Sequence, residues 1–284
     1  MKRRPTRAIW FAVVLFAVGL GVLSYPTVSD LWNRYRNRTA ATRYDEQVER
    51  LTTDERDGML QAARQYNLSH TQNVFRDAFT AMTETDEAYE ALLDPGGDGV
   101  MGAVEIPKIH VYLAIRHGTS PSVLERCAGH LEGTGLPVGG EGTHAVISAH
   151  RGLPSAKLFT DLDQLRAGDI FYLHVLGETM TYQVDRIETV LPEQAEGLAV
   201  VPGEDLVTLL TCTPYGVNTH RLLVRGRRIP NESAPIQTTT ADVLLRTEYP
   251  AILAGIGSLL FVILIIVAIR KSRKNRERRK ACET

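Results

Sequence analysis

Cysteine is scarce in this chain. Cys127, Cys212 and Cys282 are the three among 284 residues. Cys282 lies in a basic tail, so at most one disulfide is available to an exported segment. The 23 glycines and 13 prolines are too few, and too scattered, for a collagen-like or low-complexity chain. With 44% hydrophobic and 23% charged residues, the chain buries a core rather than remaining disordered. No internal repeat is visible. Net charge is also small, −1 overall, but it is strongly partitioned. Four of the 32 basic residues precede Ala8 and eight lie between Arg270 and Lys280. The segment from Ser24 to Ile269 keeps 20 basic against 31 acidic residues, a net of about −11. An acidic middle excludes nucleic acid as a partner, because phosphate binding needs a basic footprint.

Two apolar runs flank that acidic middle. Ala8 to Leu23 is sixteen uncharged residues after a basic start, short for a span of roughly 20. It reads as an N-terminal transmembrane anchor (8–24) in preference to a cleaved signal, because bulky Leu23 stands where a small residue is wanted. Ala251 to Ile269 is nineteen apolar or small residues ending in a basic cluster, and predicts a transmembrane helix. Basic residues at both outer ends, 1–7 and 270–284, place both termini in the cytoplasm and the middle outside the cell membrane, in a two-pass topology. Contact of the tail with anionic membrane lipid is a secondary expectation.

Residues 25–93 are rich in Arg, Glu, Asp, Gln, Ala and Thr, with apolar positions such as Val48, Leu51, Tyr89, Leu92 and Leu93 at helical spacing, and predict an extracellular helical arm. The arm stops at Asp94-Pro-Gly-Gly-Asp-Gly, which neither helix nor strand tolerates. From 94 to 229 the pattern changes to short strands: 104–106, 111–115, 144–149, 170–176, 180–190, 206–211 and 222–229. One helix is expected near 155–165. Seven or eight short strands make a mainly β domain, a closed barrel or a sandwich. Residues 230–250 read as a linker.

Pro214 ends the strand 206–211 just after Cys212 and presents the thiol at a strand rim. The loop 214–219 makes the next strand its neighbour and brings Arg221 close to Cys212. A further strand exit carries His150. Thiol, imidazole and guanidinium suit acyl transfer: a thiolate attacks a carbonyl, a histidine protonates the departing amine, and a fixed cation stabilises the oxyanion. Metal-ligand spacing is absent and no cofactor is implied. His220 should face away from Arg221, and His144, six residues before His150, should share its face and line the barrel far from the chemistry. Arg151, Arg225, Arg227 and Arg228 read as surface or substrate-facing charges, and Cys127 as a small buried hydrophobe.

The run Thr-Leu-Leu-Thr-Cys-Thr-Pro-Tyr-Gly-Val-Asn-Thr-His-Arg-Leu-Leu-Val-Arg-Gly resembles the signature of sortases, the cysteine transpeptidases of Gram-positive surfaces. Residues 129–140 and 148–159 resemble the pilus-assembling class C. The resemblance spans about 92–229 and implies an eight-stranded closed β-barrel, with Cys212 as nucleophile, His150 as catalytic histidine and Arg221 as the arginine. It implies cleavage of an LPXTG-like sorting signal between Thr and Gly, with transfer to a lysine amine of another pilin subunit. A housekeeping sortase using a cell-wall peptide amine, and a non-catalytic peptide receptor, are the rival readings. Class C members carry an Asp-Pro-aromatic lid, whose acid meets the arginine. Here Asp77-Ala78-Phe79 has the acid and the ring but alanine for proline; Asp94-Pro95 is the competing site. A lid held by a largely exposed Asp77–Arg221 pair is expected to be weakly closed.

Overall fold

The computed structural model describes residues 7–69, 77–79, 86–194 and 196–231. Two compact units are distinguished, and the larger runs from Ser29 to Ala234. The described part of the other, 7–28, is the start of helix α1 (Arg7–Arg50). Among the described residues, Val14–Arg50 is the one stretch long and apolar enough to cross a membrane, with mean hydropathy 1.5 over its most apolar window. Phe16, Val22 and Leu23 stand exposed on it. The second apolar run, 251–269, lies outside the described residues.

In the larger unit the arm is two helices rather than one. α1 ends at Arg50 and α2 covers Thr53–Ser69. Thr52 and Glu55 form the break: the Thr52 N–H donates to Glu55 Oε2 at 2.9 Å, and the Glu55 N–H donates to Thr52 Oγ1 at 3.3 Å. This reciprocal box satisfies donors that a new helix start leaves free. Both helices are clipped to the domain by buried asparagines. Asn37 donates to Arg126 O at 2.7 Å and accepts from Ala114 N at 3.2 Å. Asn67 donates to Leu136 O at 3.2 Å and accepts from Leu136 N at 2.7 Å. A short α3 (Glu87–Glu90) buries Tyr89, and the Asp94 carboxylate then accepts from Asp98 N and Gly99 N, folding the expected turn with Gly97 and Gly99 at positive φ.

Eight strands close a barrel in the order β1-β2-β3-β4-β7-β8-β6-β5. They are β1 (Val100–Ile106), β2 (Val111–His117), β3 (Ala128–His130), β4 (Thr143–Ser148), β5 (Ile170–Val175), β6 (Glu178–Val190), β7 (Asp205–Thr213) and β8 (His220–Ile229). The sequence expectation omitted β3, whose three residues show no alternation; it pairs parallel to β2 through a crossover containing α4 (Pro121–Leu124). The helix expected near 155–165 is also absent. Only a 3-10 turn forms there, Leu162–Gln164. Leu158 has φ 43° and the Phe159 N–H returns to His150 O at 3.1 Å, so the segment is a loop that buries Leu158, Phe159 and Leu162 one by one.

Alternation sorts each strand between two faces. Ala145, Ile147, Val207, Leu209, Leu222 and Val224 belong to the large interior cluster. Their neighbours Val146, Leu210 and Leu223 belong to a separate, smaller cluster on the outer face.

Candidate active site

β4 and β7 are parallel, in a register that pairs Thr143 with Asp205 and runs to Ser148 with Leu210. The pairing outlasts β4: the Ala149 N–H donates to Leu210 O at 3.1 Å, and Thr211 Oγ1 donates to Ala149 O at 2.7 Å. His150 follows Ala149 directly, just past the end of β4 and next to the end of β7 that carries Cys212. On the other side of β7, antiparallel β8 pairs Cys212 with Arg221. Of the three residues picked from the sequence, Cys212 and Arg221 are thus cross-strand partners on β7 and β8, and His150 lies just past the end of β4 on the other side of β7. Cys212 and Arg221 share the outer face with Leu210, Val146 and Leu223, so the pair sits on the barrel wall.

Asp77–Phe79 lies against this site. Asp77 grips Arg221 through both oxygens, Nε to Oδ1 at 2.7 Å and Nη2 to Oδ2 at 2.6 Å. Both side chains are only 8% exposed. That corrects the expected solvent-exposed pair, because Ala78, itself 1% exposed, packs on Leu131, Val146, Leu198, Leu210 and Leu223 and seals the carboxylate in. Phe79 stacks beside His150, ring centres 5.3 Å apart, and under the Arg221 guanidinium at 5.2 Å, within reach of a cation–π attraction. Asp94, the competing acid, is spent on its own turn.

The electrostatics favour neutral partners in this arrangement. Burial pushes the Cys212 thiol above its usual pKa; Arg221 pulls it down and Asp77 pushes it up. Burial lowers the His150 pKa, against an opposing pull from Glu125. The Asp77 hydrogen bonds raise the Arg221 pKa further, so its charge is permanent. Cys127 is a buried thiol pushed up to about 11 by desolvation.

The other candidates stand apart from this site. His144 is on the outside of the barrel and not in its lining. It is buried there, with Nδ1 at 3.0 Å from Ala199 O and Nε2 at 2.8 Å from Thr208 Oγ1. His220 stands opposite Thr213 and contacts Thr219 Oγ1 at 2.9 Å. Arg225 pairs with Asp185 at 2.7 Å, Arg227 reaches Glu204 at 2.9 Å, and Arg228 lies over Tyr182. Arg151 is not a surface charge: it is 9% exposed, paired with Asp163, and donates to Thr213 Oγ1 at 3.1 Å. Glu125 was also missed, since nothing in the sequence brings it to His150. Among the described residues no group of three or more His, Cys, Asp or Glu is placed to hold a metal.

The Sortase domain family matches residues 104–229. Streptococcus pneumoniae sortase C, a solved structure, is 45% identical; the match covers 70% of this chain and all of that one, with a TM-score of 0.62. The chain belongs to the sortase family. Sortase C-1 from Actinomyces oris is 44% identical over 63% of this chain and 99% of its own, with a TM-score of 0.60. Its close solved relatives are thus class C sortases. Among curated sortases, Sortase A of Streptococcus agalactiae is 32% identical over 130 residues, which is 45% of this sortase and 52% of that relative. The chain therefore spans about half the length of that relative.

Proposed function

We propose that this sortase is a membrane-anchored cysteine transpeptidase in which Cys212 attacks the Thr–Gly bond of an LPXTG-like sorting signal. His150 takes the Cys212 thiol proton as the sulfur bonds to the threonine carbonyl carbon, Arg221 stabilises the oxyanion, and the imidazolium then gives that proton to the glycine amine as the C–N bond breaks. A lysine amine of another pilin subunit then attacks the thioester and loses its proton to His150, and the Cys212 thiolate leaves and regains that proton from His150 as the free thiol. The observation that carries this assignment is the cross-strand pairing of Cys212 with Arg221, with His150 at the adjoining exit of β4 and Phe79 in contact with both His150 and Arg221. Asp77 and Phe79 act as the lid, occupying Arg221 and His150 until substrate displaces them. A pilin substrate is supported by the likeness to the pneumococcal sortase C, whose crystal structure was described as informing on pilin substrate specificity. Anchoring is supported by the exposed apolar start of α1. The test is mass spectrometry after incubation with a sorting-signal peptide: an acyl adduct on Cys212 is expected, absent in Cys212→Ala. An adduct on Cys127, or turnover that survives Cys212→Ala, overturns the assignment.

A further inference from the structure

Two hydrogen bonds flank the His150–Cys212 pair, and both join residues 62 positions apart. Thr211 Oγ1 to Ala149 O ties the residues before them. Arg151 Nη1 to Thr213 Oγ1 ties the residues after them. The first continues a β ladder. The second has no backbone counterpart, because β4 has already ended at Ser148 and the chain there turns into the 151–165 loop. Without it, the loop that carries His150 is fastened to β7 on one side only.

Arg151 shows the marks of a group held for this tie. Its side chain is 8% exposed, its other terminal nitrogen is paired with Asp163, and its buried Nε has no partner among the described residues. Asp163 sits on the 3-10 turn at the far end of the same loop, so one guanidinium joins the start of the loop, its end and the strand that bears the thiol. The charged groups that shift Cys212 are Arg221 and Asp77, and Glu125 is the one that shifts His150.

We propose that Arg151, oriented by Asp163, is a positioning residue that clamps Thr213 and thereby holds His150 beside Cys212 for proton transfer to the leaving amine. The clamp rests on the transpeptidase chemistry proposed above. It touches neither substrate nor the reacting atoms. Its effect should fall on the chemical step, because small misplacement of a reacting pair costs up to about a hundredfold in rate while leaving substrate contacts intact.

Thr213→Val removes the acceptor and keeps the shape; Thr213→Ser keeps the acceptor. Asp163→Asn, at a side chain 48% exposed, loosens Arg151 without burying anything new. With the full chain in detergent micelles and a fluorogenic LPXTG-like peptide, Thr213→Val should lose between about tenfold and a hundredfold in kcat with KM within about twofold. Asp163→Asn should lose severalfold in kcat, and Thr213→Ser should recover most of the wild-type value. NMR titration of the His150 imidazole gives a readout that needs no turnover: in Thr213→Val its pKa should rise toward the ordinary value as the ring gains access to water. Unchanged kcat and titration in both Thr213→Val and Asp163→Asn overturn the clamp, as do equal losses in Thr213→Val and Thr213→Ser that track a fall in Tm. A wild-type chain inert to the peptide whose His150 titration still responds to Thr213→Val keeps the clamp and removes the peptide assignment.

Discussion

Asp77 holds Arg221 through both carboxylate oxygens, at 2.7 and 2.6 Å, across 144 positions of sequence. An exposed pair of this kind contributes about 0–1 kcal/mol. Here both partners are enclosed, and removing one leaves the other charge buried and unpaired, a cost of about 3–5 kcal/mol in buried settings. The Asp77–Phe79 segment can instead swing out and hydrate both charges. Asp77→Ala should therefore penalise the closed arrangement and raise the rate of Cys212 alkylation by at least about tenfold. Equal rates in wild type and Asp77→Ala would mean that the segment does not gate the thiol.

The same variant carries a pH signature. Burial and the Asp77 charge both push the thiol pKa up, while Arg221 pulls it down. Taking away Asp77 removes one upward push, and an open segment relieves part of the other. The midpoint of alkylation rate against pH should move to lower pH in Asp77→Ala. A midpoint that stays or rises would contradict the assigned electrostatics.

Arg221 presents a planar fork that meets Asp77 with two nitrogens and reaches Asn218 O and His220 O, both at 3.1 Å, with the third. Lysine keeps the charge but not the fork. Arg221→Lys should lose about a hundredfold to a thousandfold in peptide turnover, the range for removing one oxyanion donor. Near-normal turnover in the variant would make Arg221 a structural residue.

The pairing of Cys212 with Arg221 was legible because it is signalled locally: a proline ends β7 and a short loop joins β7 to β8, while a His-Arg-Gly-Leu-Pro exit follows β4. The face on which the pair stands was not. Whether the face that carries His144 is lining or exterior depends on which cluster its neighbours join, and apolar residues occupy both faces of β4 and β7. Arg151 was misread for a related reason. Its partners Asp163 and Thr213 come from a loop and another strand, and a surface arginine and a clamped one look the same in sequence. β3 escaped because a three-residue strand gives periodicity nothing to act on.

His130 makes acid stability testable. It is fully enclosed; its Nε2–H donates to Gly135 O at 2.8 Å, and its Nδ1 lies 2.8 Å from Tyr89 OH, from which a neutral ring accepts. Burial lowers its pKa from 6.5 to about 4. A depressed pKa means that the unfolded chain binds the proton first, so the contribution is complete above about pH 6.5 and is lost as pH falls toward 4. The loss is on the order of 3 kcal/mol. Thermal melts of His130→Gln should start lower at pH 7 but decline less between pH 6.5 and 4 than the wild type. Parallel declines would assign the acid sensitivity to other groups.

Ala78 sits at the centre of the Asp77–Phe79 segment, 1% exposed on the Leu131, Val146, Leu210 and Leu223 surface. Its methyl group contributes about 0.8 kcal/mol through burial, and it limits the freedom of the undocked segment relative to glycine by about 0.4–1 kcal/mol. Ala78→Gly loses both, a total of about 1–2 kcal/mol, so the open population and the alkylation rate of Cys212 should rise roughly five- to thirtyfold. Proline acts in the opposite sense. Ala78→Pro stiffens the undocked segment, and alkylation should slow by about two- to fivefold. The pair of variants separates gating from packing. A lid predicts opposite changes in glycine and proline variants with the fold intact; a segment that merely pads the barrel wall predicts that both lower Tm and that neither alters access to the thiol.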